Sequence, residues 1–427
     1  MNLDVNPTMN VSAKSVKNVT KESVPQGSVP QESLAKVSVA TKSITKESVA
    51  KKSVVIIGAG PIGCYAGFLL AKQGYAVSIY ENHPQIGLPI QCTGIITAAD
   101  LDEFGFPLKS FLVNTINTIE VYAPGKKLSV KQKDYIVCRT KFDNFFANLA
   151  RKAGAKIFVN HSFMRKEGSA LVIKDTVHDV EKRIVSDIVI GADGPLSPTA
   201  KAYGFYHPER KNYYGVQAVV EGTFEPGTIK TYFGNDVCPG LFAWVCPESS
   251  TTARVGLAAL RNSRYYFDKF MKEYGFTAKE MQAGTIPVYE PKQKLQKDNC
   301  YLVGDASTYV KATTLGGLIP GLRQAVVLAD CISQGKNYEK EIRKVQKRME
   351  MHLFLQKVVN TFSDKDWASF VRYIDQPRIQ RILEKYTREN SVAIVIHSII
   401  QEPRLVLLAS KTFLKDPGML RLVTAFF

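Results

Sequence analysis

The chain has 427 residues, of which 45% are hydrophobic and 22% charged, ordinary globular values that leave room for two or three structural units and a sizeable core. Its formal net charge of +17 points to anionic partners, whether nucleic acid, phosphorylated cofactors or an acidic membrane face, or simply to a lysine-rich proteome. The cysteines number seven, an odd count without a C-x-x-C pair, which argues against a disulfide frame or a zinc site and for a reducing compartment.

Residues 1–52 form a low-complexity tail. Serine recurs every fifth position from Ser23 to Ser53, each time followed by Val, Leu or Ile. A period of five matches neither helix nor strand, so the apolar residues cannot line one face. The tail reads as a disordered spacer, or as a loose lysine-bearing tether to an anionic surface. It has no apolar h-region of a signal peptide, so the expected location is cytoplasmic, with peripheral membrane contact as the sharper alternative.

The first strong signal is Ser53–Glu81. Val54–Ile57 reads as a strand buried on both faces, Gly58-Ala59-Gly60-Pro61-Ile62-Gly63 as a G-x-G-x-x-G turn, Cys64–Lys72 as a helix, and Ala76–Tyr80 as a second strand ending on Glu81. In such a βαβ unit Gly58 permits the tight turn, Gly60 lets a pyrophosphate approach the backbone, and Gly63 lets helix pack on strand. The helix N-terminus offers free N–H groups to phosphates, and Glu81 stands where an acid takes the ribose hydroxyls. Ser53–Ala71 also spans 19 residues without a charge, long enough for a membrane helix. Its four glycines and one proline, bunched at the proposed turn, argue against that.

Next comes a glycine- and proline-bearing loop, Gly87-Leu88-Pro89-Ile90-Gln91-Cys92-Thr93-Gly94, suited to close backbone contact with a ligand. Thr118–Ala123 and Lys127–Val130 read as strands around Pro124-Gly125, and Tyr135–Cys138 as another short strand. Arg139 opens a helix over Thr140–Ala153 with Phe142, Phe145, Phe146 and Leu149 on one stripe. Lys156–Val159 and Ser186–Ile190 continue the doubly wound pattern, the latter running into Ala192-Asp193-Gly194. Asp193 could equally cap the following turn or helix. Tyr213–Leu260 is alternating and strand-rich, an antiparallel sheet set apart from the first fold. Asn299–Ala306 returns to a buried strand ending at Gly304-Asp305, and Gly316-Gly317-Leu318 precedes a helix. Residues 336–427 read as mainly helical, with 17 Lys/Arg against 10 Asp/Glu and an unusually apolar stretch at Ser391–Leu414.

The order and separation of three pieces, Gly58–Gly63, Ala192–Gly194 and Gly304-Asp305, resemble FAD-containing enzymes of the glutathione-reductase-like fold, hydroxylase branch. Within that branch, Pro89–Gly94 is similar to the P-x-x-C-x-G element of geranylgeranyl reductases. Phe242-Ala243-Trp244-Val245-Cys246-Pro247 is similar to their Y-x-W-x-F-P element, with Phe242 for Tyr and Cys246 for Phe. The subgroup it most resembles is the archaeal one that saturates isoprenoid chains of membrane lipids. The resemblance runs from about Ser53 to the early 330s and more loosely through the C-terminal helices.

The implied fold class is α/β. A doubly wound FAD-binding domain (53–210 and 284–335) is followed by an antiparallel-sheet substrate domain (211–283) and a C-terminal helical region (336–427). The implied cofactor-binding residues are Gly58, Gly60, Ile62, Gly63, Glu81, Cys92, Thr93, Gly94, Arg139, Phe163, Asp193, Asp305, Gly316, Gly317 and Leu318. Phe242 and Trp244 would shape a dry channel for the chain being reduced. Cys92 would tune the flavin or serve a proton-related role, or merely pack against it. No metal is implied. The external electron donor would be NAD(P)H or a ferredoxin, the substrate an isoprenoid lipid drawn from an anionic membrane, and no nucleic acid is expected. Two rival readings share parts of the pattern: a flavin monooxygenase, and a non-catalytic prenyl-lipid carrier like the Rab GDP-dissociation inhibitors.

Overall fold

A computed structural model describes residues 51–415. The low-complexity tail up to residue 50 and the chain end from 416 lie outside the described residues, so the expectation made for the tail is not addressed. The described residues form one compact unit.

Val54 and Ile56 pack into one core cluster and Val55 and Ile57 into another, so the first strand is buried on both faces as its β-branched run requires. It lies centrally in a six-stranded sheet. From edge to edge the order is Gln296–Lys297, Cys300–Leu302, Ile188–Gly191, Ser53–Ile57, Ala76–Tyr80 and Lys156–Phe158, all pairs parallel but the first. The helix Pro61–Lys72 starts on a proline, whose missing N–H costs nothing at that position. The helix Arg139–Lys152 packs beside it, with the Tyr65 and Phe146 rings 5.4 Å apart. Of the stripe expected there, Phe142 and Phe146 are fully buried, while Phe145 and Leu149 border the same core. On the other face, Leu171 and Ile173 of a small antiparallel sheet (His161–Glu167, Ala170–Asp175, Val180–Val185) join Val55, Ile57 and Val189.

The second sheet has eight strands: Ala278–Pro287, Asn212–Glu221, Thr252–Ala259, Phe242–Pro247, Thr228–Phe233, Leu112–Ala123, Lys126–Val137 and Ile95–Thr97. It therefore draws strands from both sides of the boundary expected at residue 211. The two early hairpin strands also run longer than their apolar runs suggested, and irregularities near Asn114 and Thr118 break the alternation. Thr228–Phe233 pairs with Leu112–Ala123 in parallel, the only such pair in this sheet among the described residues.

Helices at Arg343–Val359, Asp364–Ile374, Pro377–Lys385, Ser391–Gln401 and Leu405–Lys415 follow. Val358, Phe362, Trp367 and Val371 cover Ala123, Leu128 and Val130 of the hairpin. No helix among the described residues is long and apolar enough to cross a membrane. Ser53–Ala71 is instead strand, turn and helix.

Candidate functional site

The first glycine turn is packed against backbone. A Cβ on Gly63 would come within 2.2 Å of Gly58 O, and one on Gly58, at φ +101°, within 2.4 Å of Ala192 O. Gly60 differs: a Cβ there would meet nothing within 4 Å, so that side of the turn is open. The Glu81 carboxylate closes the turn, accepting from Ala59 N–H (2.8 Å) and from His83 N–H (3.0 Å). An open glycine flanked by a braced acid suits a pyrophosphate and a ribose.

The loop Gly87–Gly94 is pinned to the start of the helix Arg139–Lys152. A Cβ on Gly87 would press to 2.8 Å from Thr140 Cα, and one on Gly94 to 2.4 Å from Val137 O. Asn144 Nδ2 holds Ile86 O at 2.9 Å. Arg139 grips Asp143 with two nitrogens, at 3.1 and 3.0 Å. Burial works against its charge, but Asp143 and the Cys92 sulfur beside it more than offset this and move its pKa up. Cys92 is half-buried, and its sulfur accepts from Gly94 N–H at 3.4 Å.

Asp305 stands opposite. Burial raises its carboxyl pKa, against the pull of Arg139 and Arg210. Arg210 donates to the backbone oxygens of Asp305 (2.7 Å) and Ala306 (3.0 Å), leaving the Asp305 carboxylate without a hydrogen-bond donor among the described residues. Gly317 is glycine because that carboxylate is there: a Cβ would lie 2.8 Å from Asp305 Oδ1. A half-buried carboxylate lacking a donor is a site for ligand hydroxyls. These residues fit the FAD that the motifs imply.

Other expected residues do different work. Asp193 accepts from Ser197 Oγ (2.7 Å) and Thr199 N–H (2.8 Å), so it serves the following short helix, while its turn also borders the cleft described below. Thr93 donates to Gln217 Oε1 at 2.7 Å and faces the large sheet. Ile62 fills the space between Gly304 and Gly321. Leu318 opens the helix Leu318–Gln334 and borders the parallel-sheet core. Gly316 lies over the Lys311 side chain. Phe163 packs in the cluster between the small sheet and the parallel sheet.

Phe242 and Trp244 point the same way from their strand, rings 5.9 Å apart. Trp244 pairs in register with Gly256, where a Cβ would meet the indole at 2.7 Å and Gln217 Cβ at 2.5 Å. The aromatic wall thus comes within one residue, Gln217, of the Cys92 loop. It continues through Phe233 (5.3 Å from Phe242) to Trp367 of the C-terminal helices, 4.8 Å further on. A cleft of about 460 Å³ lies between Gln91, the turn after Asp193, and Tyr214 and Gly284 of the sheet.

Arg254 went unrecognised in the sequence. It is buried, pairs with Glu248 at 2.8 Å, and donates to Cys92 O at 2.9 Å, fixing the loop from the sheet side. A lone arginine in the apolar strand Thr252–Ala259 was its signal. Gln217 and its partner Gln282 (2.7 Å) left none, because a polar residue in an alternating strand reads as solvent-facing.

Residues 56–102 match the NAD(P)-binding Rossmann-like domain family. The fold is that of flavin-dependent proteins. A geranylgeranyl bacteriochlorophyll reductase-like protein from Thermoplasma acidophilum superposes with a TM-score of 0.73 at 21% identity, covering 85% of this chain and 99% of that one. The flavin-dependent halogenase CmlS superposes at 0.62 and 16% identity, covering 83% and 78%. In sequence the chain is similar to curated digeranylgeranylglycerophospholipid reductases. It is 29% identical over 351 residues to digeranylgeranylglycerophospholipid reductase 2 of Methanothermobacter thermautotrophicus, covering 75% of this chain and 91% of that protein. The reductase of the same name from Methanocaldococcus jannaschii is 28% identical over 347 residues, covering 73% and 88%.

Proposed function

We propose that this protein is an FAD-dependent reductase that saturates C=C bonds of geranylgeranyl chains in isoprenoid membrane lipids or their precursors. The observation that carries the reading is the convergence of the open face at Gly60, the donor-free Asp305 carboxylate and the Cys92 loop, with the Phe242–Trp244 wall joined to that loop through Gln217. FAD, when bound and reduced, supplies a hydride to one carbon of the alkene. The chain's own part is to hold and to exclude. Glu81 and the Gly60 turn would take the ribose and pyrophosphate, Arg139 the phosphate charge, and Asp305 the ribityl hydroxyls. Phe242, Trp244 and Phe233 keep the isoprenoid side dry. Cys92 is the candidate for tuning or for handling the proton that completes the reduction. A Cys92→Ser protein that keeps FAD and full turnover would leave it only a packing role.

The decisive experiment is anaerobic. Reduced protein is mixed with geranylgeranyl lipid, and flavin reoxidation is followed alongside saturated product by mass spectrometry. A flavin monooxygenase, the reading favoured by the halogenase likeness, would instead couple oxygen consumption to substrate, and a colourless protein would favour a prenyl-lipid carrier. Running the steady-state assay with NAD(P)H and with a ferredoxin identifies the donor.

Docking on an anionic membrane is supported by the C-terminal helices. Along Ser391–Gln401 only Ser391 and Ser398 are buried, and Ile400 and Leu407 are 66% and 65% exposed. Exposed Val406 lies between them in sequence, and Arg378, Arg381 and Arg404 are exposed in the same region. Exposed apolar side chains close in sequence to exposed arginines, of which Arg378 and Arg404 share Glu402, suit the interface of acidic lipids. Replacing Ile400 and Leu407 together by Asp should abolish sedimentation with anionic liposomes while leaving FAD binding intact.

A further inference from the structure

Behind the second glycine turn lies a buried set of charges that the flavin motifs do not require. Lys311 is 5% exposed. Its side chain runs beneath Gly316, where a Cβ would meet Lys311 Cε at 2.9 Å and Nζ at 3.2 Å. The loop closes over it through Leu315 N–H to Lys311 O (2.8 Å). The ammonium therefore sits against Gly316 in the turn that leads into the helix Leu318–Gln334, one residue before Gly317, which the Asp305 carboxylate abuts.

Its counter-charge comes from the C-terminal region. Glu389, 1% exposed, accepts from Lys311 Nζ and, at 3.1 Å, from Arg323 Nη1. Arg323 is shared with Asp100 (2.9 Å) and with exposed Glu103 (2.8 Å). The short turn carrying Glu389 is anchored by Arg388, which donates to Asp134 at 2.9 Å and Thr97 at 3.2 Å, while the Arg388 carbonyl meets His352 Nε2 at 3.1 Å. A buried ion pair is seldom the most stable filling for its volume, because both charges lose their water. Stability alone does not explain a lysine aimed at the glycine turn.

Resting on the flavin reading above, we propose that Lys311 supplies a fixed positive charge to the flavin-facing turn and that Glu389, delivered by the C-terminal region, sets how much of it the cofactor feels. A cation at that end of the site favours the reduced, anionic flavin, and a paired carboxylate tempers it. Lys311 and Glu389 thus act on the reduction equilibrium from behind the turn, without touching substrate. The C-terminal helices become part of the redox apparatus as well as a lid on the sheet.

The test is the midpoint potential of the bound flavin, measured by dye equilibration on the purified holoprotein. Lys311→Met should disfavour reduction about tenfold, a fall of about 30 mV for two electrons. Glu389→Gln should favour it by a similar factor, and Lys311→Arg should stay near the wild-type value. Lys311→Met and Glu389→Gln proteins that remain yellow, with reduction equilibria within about twofold of wild type, would overturn the proposal. A wild-type protein that takes up no flavin would overturn the functional reading itself, and this inference with it.

Discussion

The two glycine turns differ in what stands behind them. At Gly58–Gly63 the closest neighbours are backbone atoms, Gly58 O and Ala192 O, of the residues that directly follow two adjacent strands of the parallel sheet. At Gly316-Gly317 they are charged side chains, Lys311 and Asp305. Backbone cannot yield and side chains can. The first turn is therefore a rigid cradle whose shape is settled by the sheet, while the second is a soft one whose electrostatics are settled by residues far along the chain.

Substitutions separate the two. Gly63→Ala should have the largest effect, destabilising the protein by at least about 3 kcal/mol and abolishing flavin retention, because Gly58 O has nowhere to go; thermal melts and the visible spectrum read this. Acid should act next, through His352 in the charged cluster behind the second turn. Burial, with Lys311 adding repulsion, holds the His352 pKa down to about 3 in the folded state. The unfolded chain therefore takes up a proton as pH falls below about 6.5 that the folded one refuses. This stabilising term is complete above that pH and is lost on acidification toward the folded value, by about 1.4 kcal/mol per pH unit at most. His352→Gln should flatten that slope in denaturant titrations from pH 7 to 5. Gly317→Ala should displace the Asp305 carboxylate and weaken FAD about tenfold in fluorescence titrations, with the fold intact. Gly60→Ala should change the stability of the flavin-free protein least, within ~0.5 kcal/mol, since its Cβ meets only open space, yet still weaken FAD. If Gly63→Ala proved as mild as Gly60→Ala, the contrast between rigid and soft cradle would fail.

The rigid turn is also the one that the sequence displays. Strand, glycines, helix and acid fall within thirty residues and report on one another, so Gly58, Gly60, Gly63 and Glu81 could be read directly. Arg139 and Asp305 were legible through the resemblance, and the structure sets them together electrostatically. What could not be read is pairing across distance. Arg254 reaches Cys92 across 162 positions and Lys311 reaches Glu389 across 78. Neither partner has a local pattern that names the other. Asp193 shows the converse: its motif is conspicuous, but its oxygens bind Ser197 and Thr199 a few positions on.

The parallel pairing of Thr228–Phe233 with Leu112–Ala123 has a consequence for how the chain is made. More than a hundred residues, including the whole small antiparallel sheet and two strands of the parallel one, must leave the ribosome between these two neighbours. Until they do, the early hairpin offers an unclaimed edge to any passing strand. A piece covering 211–283 alone would inherit the matching problem from the other side, so neither portion is a module to be cut out and grafted elsewhere.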